Sequence, residues 1–395
     1  MRFILASEEF VYARRPRPGF PLILNAAMEP AEPFHSYLMW RLLESGNDLD
    51  EKTWESYGRA IWDFAKFLGE NGHSWNQPFN AVGEGVVKQY RDWQVLDLEL
   101  DPGTINARLR QVVQMYEWAK TQRLISVLPF SHGEVKRRGV QHDLAHKTGG
   151  EQTHNKANVM VDEWIKDPAF LTAEQLRVAR GEIRSTSQRL LWDLMGRVGL
   201  RSVEARTFPL KYVFDPSTRK DLKPGSVINT ELNPRDMEIK FDKSRIVAIP
   251  YSLMEDLWAY RQFERNLYAG TDPRRELILT VRGSPFTNSS AGKVFTHLAK
   301  RVGFKVTPLM LRHSYAVHTL LVLRAHPELN IEPLMYVRDR LGHEDVGTTM
   351  VYLTQIRRLM GDVPLAMVAE LDELYGVTSA IRISEPPDPA GAVEG

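Results

Sequence analysis

Leu311-Arg312-His313-Ser314-Tyr315-Ala316-Val317-His318 sets an arginine and a histidine inside an otherwise apolar helical run. Burying a guanidinium without a partner is costly, so an arginine in this setting asks for an anion. Taken alone, the pair reads equally well as a satisfied Arg–His contact in a core. Downstream comes Leu341-Gly342-His343-Glu344-Asp345-Val346-Gly347-Thr348-Thr349, with Tyr352 nine residues after the histidine. By itself that tyrosine is an ordinary residue of an amphipathic helix. Upstream stands Gly199-Leu200-Arg201-Ser202-Val203-Glu204. Positions i and i+3 of a helical turn are neighbours, so Glu204 can orient the Arg201 guanidinium, although isolated pairs of this kind are common and weak. Between these blocks, Met237-Glu238-Ile239-Lys240-Phe241 and Arg245-Ile246-Val247-Ala248-Ile249 read as two strands of a β-hairpin turned at Asp242-Lys243-Ser244. Met237, Ile239 and Phe241 then share one face and Lys240 projects from the other.

The chain around these blocks is 395 residues long, 43% hydrophobic and 26% charged, which suits two soluble domains and excludes a mainly disordered or fibrous protein. It holds no apolar run long enough to span a membrane. The first twenty residues meet Glu8 and Glu9 too early for a secretory signal. Cysteine is absent, which removes disulfides, thiolate nucleophiles and cysteine zinc sites, and points to a reducing cytoplasm. Lys plus Arg number 51 against 50 Asp plus Glu, a net charge of +1. Whole-chain charge therefore does not suggest a nucleic-acid partner; any such partner has to be met by local basic surface.

Residues 1–30 are broken by Arg14-Arg15-Pro16-Arg17-Pro18 and read as an arm or a packed extension. Residues 31–130 carry helical periodicity, with Thr53 as a helix N-cap, a second helix near 86–96 and a third opening after Asp101-Pro102-Gly103. Residues 131–165 are poor in large apolar side chains and rich in Gly, Lys, Arg and His, and read as a linker. Its histidines His132, His142, His146 and His154 match no zinc spacing, so no metal site is expected. A second domain occupies 166–375, with Thr172 as an N-cap and helices near 172–184, 187–198, 251–268, 290–302, 312–325 and 333–341. Residues 376–395 read as a flexible tail. The fold class is mainly α, with a small antiparallel β-hairpin in the second domain.

Taken in order, these blocks resemble those of the tyrosine recombinase family, the phage integrases and related site-specific recombinases. The resemblance implies a helical core-binding domain followed by a mixed α/β catalytic domain. It implies that Arg201 and Arg312 clamp a scissile phosphate, that Tyr352 attacks it to form a 3′-phosphotyrosine, and that Lys240 protonates the leaving 5′-oxygen, with Lys243 as the runner-up. It further implies that His343 assists and that Glu204 supports the assembly. Such chemistry calls for no metal and no cofactor. The partners implied are double-stranded DNA, further copies of the chain (a tetramer on paired DNA sites) and accessory DNA-bending proteins, in the cytoplasm with the nucleoid. A helix at 363–375 has one apolar face that needs cover, from its own domain or a neighbouring protomer.

Two positions depart from the family pattern. Leu309 stands where a histidine is usual, and leucine carries no proton. His313, at i+1 from Arg312, faces another side of the helix and is read as packing inside. The stretch from Arg324 to Glu332 is longer than usual and reads as a loop insertion. Leu309 keeps open a DNA-binding protein of the same fold with impaired catalysis. Relaxation of supercoils by the same phosphotyrosine chemistry is a second alternative.

Overall fold

The computed structural model describes residues 1–46, 51–77, 79–80, 82–136, 153–163, 168–270, 275–343 and 349–353. The chain divides into two compact units, Met1–Ile165 and Lys166–Gly395.

The first unit opens with β1 (Arg2–Leu5), β2 (Val11–Tyr12), β3 (Arg15–Pro16) and β4 (Pro21–Leu24). β1 pairs antiparallel with β4, Arg2 opposite Leu24, and β2 with β3. Phe20 and Ile23 are fully buried, so the N-terminal segment is a packed extension. Then follow α1 (Phe34–Met39), α2 (Glu51–Glu70), α3 (Val86–Leu96) and α4 (Pro102–Thr121). α2 starts before Thr53, which lies inside its first turn and is not the cap. Asp101 caps α4 by accepting the Gly103 N–H, with Pro102 at the position where its missing N–H costs nothing. The apolar faces meet around Phe64, whose ring packs edge-on to Tyr90 at 5.0 Å and to Tyr116 at 6.0 Å. Both phenols bury without an orphaned hydroxyl: Tyr90 donates to Asp63, and Tyr116 to the Trp75 carbonyl.

The expected linker is in part folded. β5 (His132–Lys136) pairs with β6 (Thr153–Ala157), His132 opposite Ala157. Ala157 and Val159 then enter the first core. Asn106 of α4 fixes this return by exchanging two hydrogen bonds with the Val161 backbone, 2.8 and 2.9 Å. A buried asparagine and two small apolar side chains thus help to dock a segment whose composition alone reads as loop.

The second unit contains α5 (Ala173–Gly181), α6 (Thr186–Arg197), α7 (Ser202–Arg206), β7 (Val227–Leu232), β8 (Arg245–Pro250), α8 (Tyr251–Ala259), α9 (Arg265–Ala269), α10 (Asn288–Val302), α11 (Pro308–Ala325) and α12 (Pro333–Leu341). Thr172 caps α5 in a reciprocal box with Gln175. α6 and α11 carry Leu194, Met195 and Leu311 into the main core, which the β7–β8 pair shares through Ile228, Leu232, Val247 and Ile249.

The partner of β8 differs from the expectation. Residues 227–232, not 237–241, pair with 245–250, Val227 opposite Pro250 and Leu232 opposite Arg245. Met237 and Ile239 are buried, so their apolar alternation is real, but it serves the core and not a ladder. Residues 240–242 form a 3-10 turn ending in left-handed Asp242, which takes Lys240 off a strand. Residues 326–332, with a 3-10 turn at Pro327–Leu329, connect α11 to α12 within the stretch read as a loop. The segments 363–375 and 376–395, and the linker residues His142 and His146, lie outside the described residues.

Phe64→Ala should lower the unfolding free energy by about 3–5 kcal/mol, the usual cost of removing a fully buried aromatic ring. Urea unfolding of the full chain, followed by tryptophan fluorescence, measures it. An unchanged midpoint would mean that Phe64 does not anchor the first core.

Candidate active site

The site grows from a helix end. α6 stops at Val198, and Gly199 turns the chain with φ of 77°, a left-handed conformation that glycine adopts at little cost. A Cβ there would lie 2.5 Å from the Tyr315 ring of α11, so close approach as well as conformation requires glycine. The turn delivers Arg201 to the start of α7, where its backbone N–H and its guanidinium both donate to Glu204, at 2.7 and 3.0 Å.

Glu204 is wholly buried, and Arg245 accounts for it. At the head of β8, Arg245 donates to both carboxylate oxygens of Glu204, 2.8 and 2.6 Å. Its side chain is only 7% exposed. Burial acts to raise the Glu204 carboxyl, but the Arg245 hydrogen bonds and charge, the Arg201 N–H and the Arg312 charge outweigh it and hold the group at about 2. Arg245 also donates to the Arg340 carbonyl at the end of α12. There Gly342, with φ of 65°, passes so close that a Cβ would meet the Arg245 side chain at 2.8 Å.

Arg312 is 4% exposed. It donates to the Gly199 carbonyl at 2.7 Å and to the Leu341 carbonyl at 2.5 Å, and so ties the turn bearing Arg201 to the turn bearing His343. Burial, with the Arg201 charge second, lowers it to about 9, which leaves it cationic at neutral pH. His343 shares a hydrogen bond between Nδ1 and Thr349 Oγ1, 2.9 Å, and stacks on Tyr352 at 6.4 Å. Burial, reinforced by the Arg312 charge, lowers His343 to about 4, so the ring is neutral at pH 7.

Tyr352 lies in the helical stretch 349–353, 3% exposed, packed with Ala316, Val317, Leu320, Val337 and Leu341. Burial raises its phenol above the ordinary value of 10.0 while Arg312 and Arg201 oppose the shift, so it is protonated at neutral pH. Its hydroxyl stands 2.8 Å from His313 Nδ1.

Beside this cluster a cleft of about 730 Å³ is lined by Arg201, Lys240, Lys243, Arg245, Arg338 and Arg340, against the single carboxylate of Asp339. Both lysines are exposed. His343 also lines the cleft. The local basic surface that the total charge conceals is here, and it suits a polyanion.

Arg201, Glu204, Arg312, His343 and Tyr352 thus converge, and Lys240 and Lys243 share a cleft with Arg201 and His343. Leu309, in the first turn of α11, is 61% exposed. Two residues escape a reading of the sequence. Arg245 is separated from Glu204 by 41 positions, and no local spacing pairs them. His313 contacts the tyrosine hydroxyl and is not inert packing; it stands at i+4 from Leu309, one turn on along the same helical face, a relation visible in the sequence. Among the described residues there is no group of histidine and acidic side chains able to hold a metal ion.

A guanidinium pair around a buried carboxylate, a third arginine pinned between two turns, and a tyrosine behind a basic cleft make an arrangement suited to an anionic ligand. Residues 170–357 match the phage integrase family model and are a domain of that family. Tyrosine recombinase XerD of Staphylococcus aureus (strain N315) is 30% identical over 126 residues, 30% of this chain and 40% of that protein. The chain therefore spans two fifths of the length of the curated relatives it matches. Among solved structures, the Tn1549 transposon integrase in complex with transposon right end DNA superposes with a TM-score of 0.54 at 14% identity, over 86% of this chain and 98% of that one. XerH site-specific recombinase bound to palindromic difH substrate superposes at 0.51 and 16% identity, over 82% and 80%. At such identities the likeness is one of fold.

Glu204→Gln should destabilise the protein by about 3–5 kcal/mol, because it leaves Arg245 buried with half its pairing gone. The sign with pH follows from the carboxyl: held at about 2 when folded against an ordinary 4.5, it contributes stability above 4.5 that is lost as pH falls toward 2. That contribution is roughly 3 kcal/mol. Denaturation of both proteins should show a constant difference from about pH 7 to pH 5 that shrinks on further acidification; a difference that widens would contradict the assignment.

Proposed function

We propose that this protein is a site-specific DNA recombinase that cuts and rejoins strands through a covalent 3′-phosphotyrosine, in the integration or excision of a mobile element. The observation that carries the reading is Arg312, which draws the Arg201 turn, the His343 turn and Tyr352 into one buried network beside a basic cleft.

In this reading a scissile phosphodiester enters the cleft and takes hydrogen bonds from Arg201 and Arg312, whose planar forks suit its non-bridging oxygens. Glu204 keeps Arg201 aimed and offsets part of the local positive charge. His343, anchored at Nδ1 by Thr349, offers Nε2 to the phosphate. Tyr352 Oη attacks phosphorus as the bond to the 5′-oxygen breaks, and Lys240 supplies the proton that oxygen needs, with Lys243 the alternative donor. The arginines act most strongly where charge builds on the oxygens in the transition state. Religation is the reverse, with a 5′-hydroxyl from another strand as the nucleophile, and it needs no external energy source. Tyr352 is buried in its resting position, so attack requires that the 349–353 segment present it to the cleft. Double-stranded DNA and a tetramer on paired sites are the partners this chemistry calls for. Affinity carried by local cations should fall steeply with salt.

The test uses a nicked duplex carrying a site that the full-length protein selects from a randomised pool, designed so that cleavage releases a short fragment and traps the intermediate. Unsubstituted protein should form an adduct that survives denaturation, and Tyr352→Phe should form none. Lys240→Ala should slow adduct formation by about 10²–10⁴-fold, the usual range for a lost general acid. A 5′-bridging phosphorothiolate, whose sulfur leaves without a proton, should restore it. An adduct with Tyr352→Phe, or none with unsubstituted protein, would defeat the reading.

A further inference from the structure

Tyr352 must lose a proton to become a nucleophile, and the position where the family usually carries a histidine holds Leu309, exposed and unable to accept one. The hydroxyl is nonetheless engaged. His313 Nδ1 lies 2.8 Å from Tyr352 Oη, and the rings are 5.5 Å apart at 55°. His343, the other imidazole against Tyr352, has its Nδ1 committed to Thr349.

We propose that His313 is the proton acceptor for Tyr352: as Oη bonds to phosphorus its O–H bond breaks and the proton passes to His313 Nδ1, while the bond to the 5′-oxygen breaks and that oxygen is protonated by Lys240. On religation the same proton returns to Oη. The proposal rests on the reading of Tyr352 as the nucleophile.

Three features support it. First, the helix carrying His313 is firmly held, since Arg312 is tied to two carbonyls and Ser314 Oγ accepts from the Leu171 N–H. Second, the protonation states suit transfer in this direction. Burial, with the Arg312 charge second, lowers His313 to about 4, so it is neutral at pH 7 and one ring nitrogen is an acceptor. Tyr352 is protonated, so the phenol donates and the imidazole proton sits on Nε2. Third, the mismatch in resting basicity closes during reaction. The phenol becomes strongly acidic as Oη bonds to phosphorus. The charge of Arg312, which acts on both His313 and Tyr352, loses part of its effect when a phosphate anion binds it. Proton transfer is thereby coupled to occupation of the site by DNA.

The test uses full-length protein on the nicked duplex described above. His313→Gln keeps a hydrogen-bond acceptor but takes up no proton, and should slow adduct formation on the order of 100-fold or more. Unlike Lys240→Ala, it should gain nothing from the 5′-bridging phosphorothiolate. Replacing Tyr352 by 3,5-difluorotyrosine, a more acidic phenol, should return most of the lost rate in His313→Gln and change the unsubstituted protein little. Wild-type cleavage by His313→Gln overturns the proposal; so does a slowed variant that the fluorinated phenol does not rescue, since that marks a positioning role alone. Should the variant fail to fold, 15N spectra of the imidazoles in unsubstituted protein decide: His313 with its proton on Nε2 supports the proposal, and a protonated Nδ1 overturns it. Absence of any adduct with unsubstituted protein defeats the underlying reading and this proposal together, and is distinguishable from the other outcomes.

Discussion

The bidentate pair between Arg245 and Glu204 is the constraint on which the second unit depends. Two charges this deeply buried are favourable only with their hydrogen bonds nearly complete, and here they are. Both carboxylate oxygens accept from Arg245, and one also accepts the Arg201 N–H and the other its guanidinium. The pair joins α7 to β8, and Arg245 reaches on to the last turn of α12. Glu204 is therefore less a partner of Arg201 than the point at which three separate stretches of chain are held in register.

Arg312 extends that scheme. Arg201, Arg245 and Arg312 gather around one carboxylate, which leaves a surplus of positive charge inside the protein. Burial is the larger cause of the lowered affinity of Arg312 for its proton and of the depressed imidazoles of His313 and His343, and the surplus adds to it. Surplus positive charge of this kind suits an anion. The total charge of the chain, +1, gives no hint of this, because acidic side chains elsewhere cancel it in the sum.

How much of this was legible in the sequence varies with the range of the interactions. Helices α5, α6, α10, α11 and α12 follow from apolar periodicity and caps, and Thr172 caps α5 as expected. Arg201 with Glu204 is a local pair and reads directly. The β7–β8 pairing does not, because the alternation of Met237 and Ile239 looks the same whether a core or a strand neighbour receives it. The docking of 153–163 turns on Asn106, far off in sequence, and no composition rule reports it. Arg245 is invisible for the same reason. His313 was within reach: measured from Arg312 it points elsewhere, but measured from Leu309 it lies on the same face one turn on.

The contacts at the end of α12 have one more consequence. A helix leaves its last carbonyls without intrahelical donors. In this unit the carbonyls of Arg340 and Leu341 are met by side chains of Arg245 and Arg312. The guanidinium suited to an incoming anion is therefore also the cap of a helix, and a shift of Arg312 toward a ligand loosens that cap. His343 follows directly on this terminus. Order at the end of α12 thus draws on the N–H groups of two arginines, one of which, Arg245, also lines the cleft.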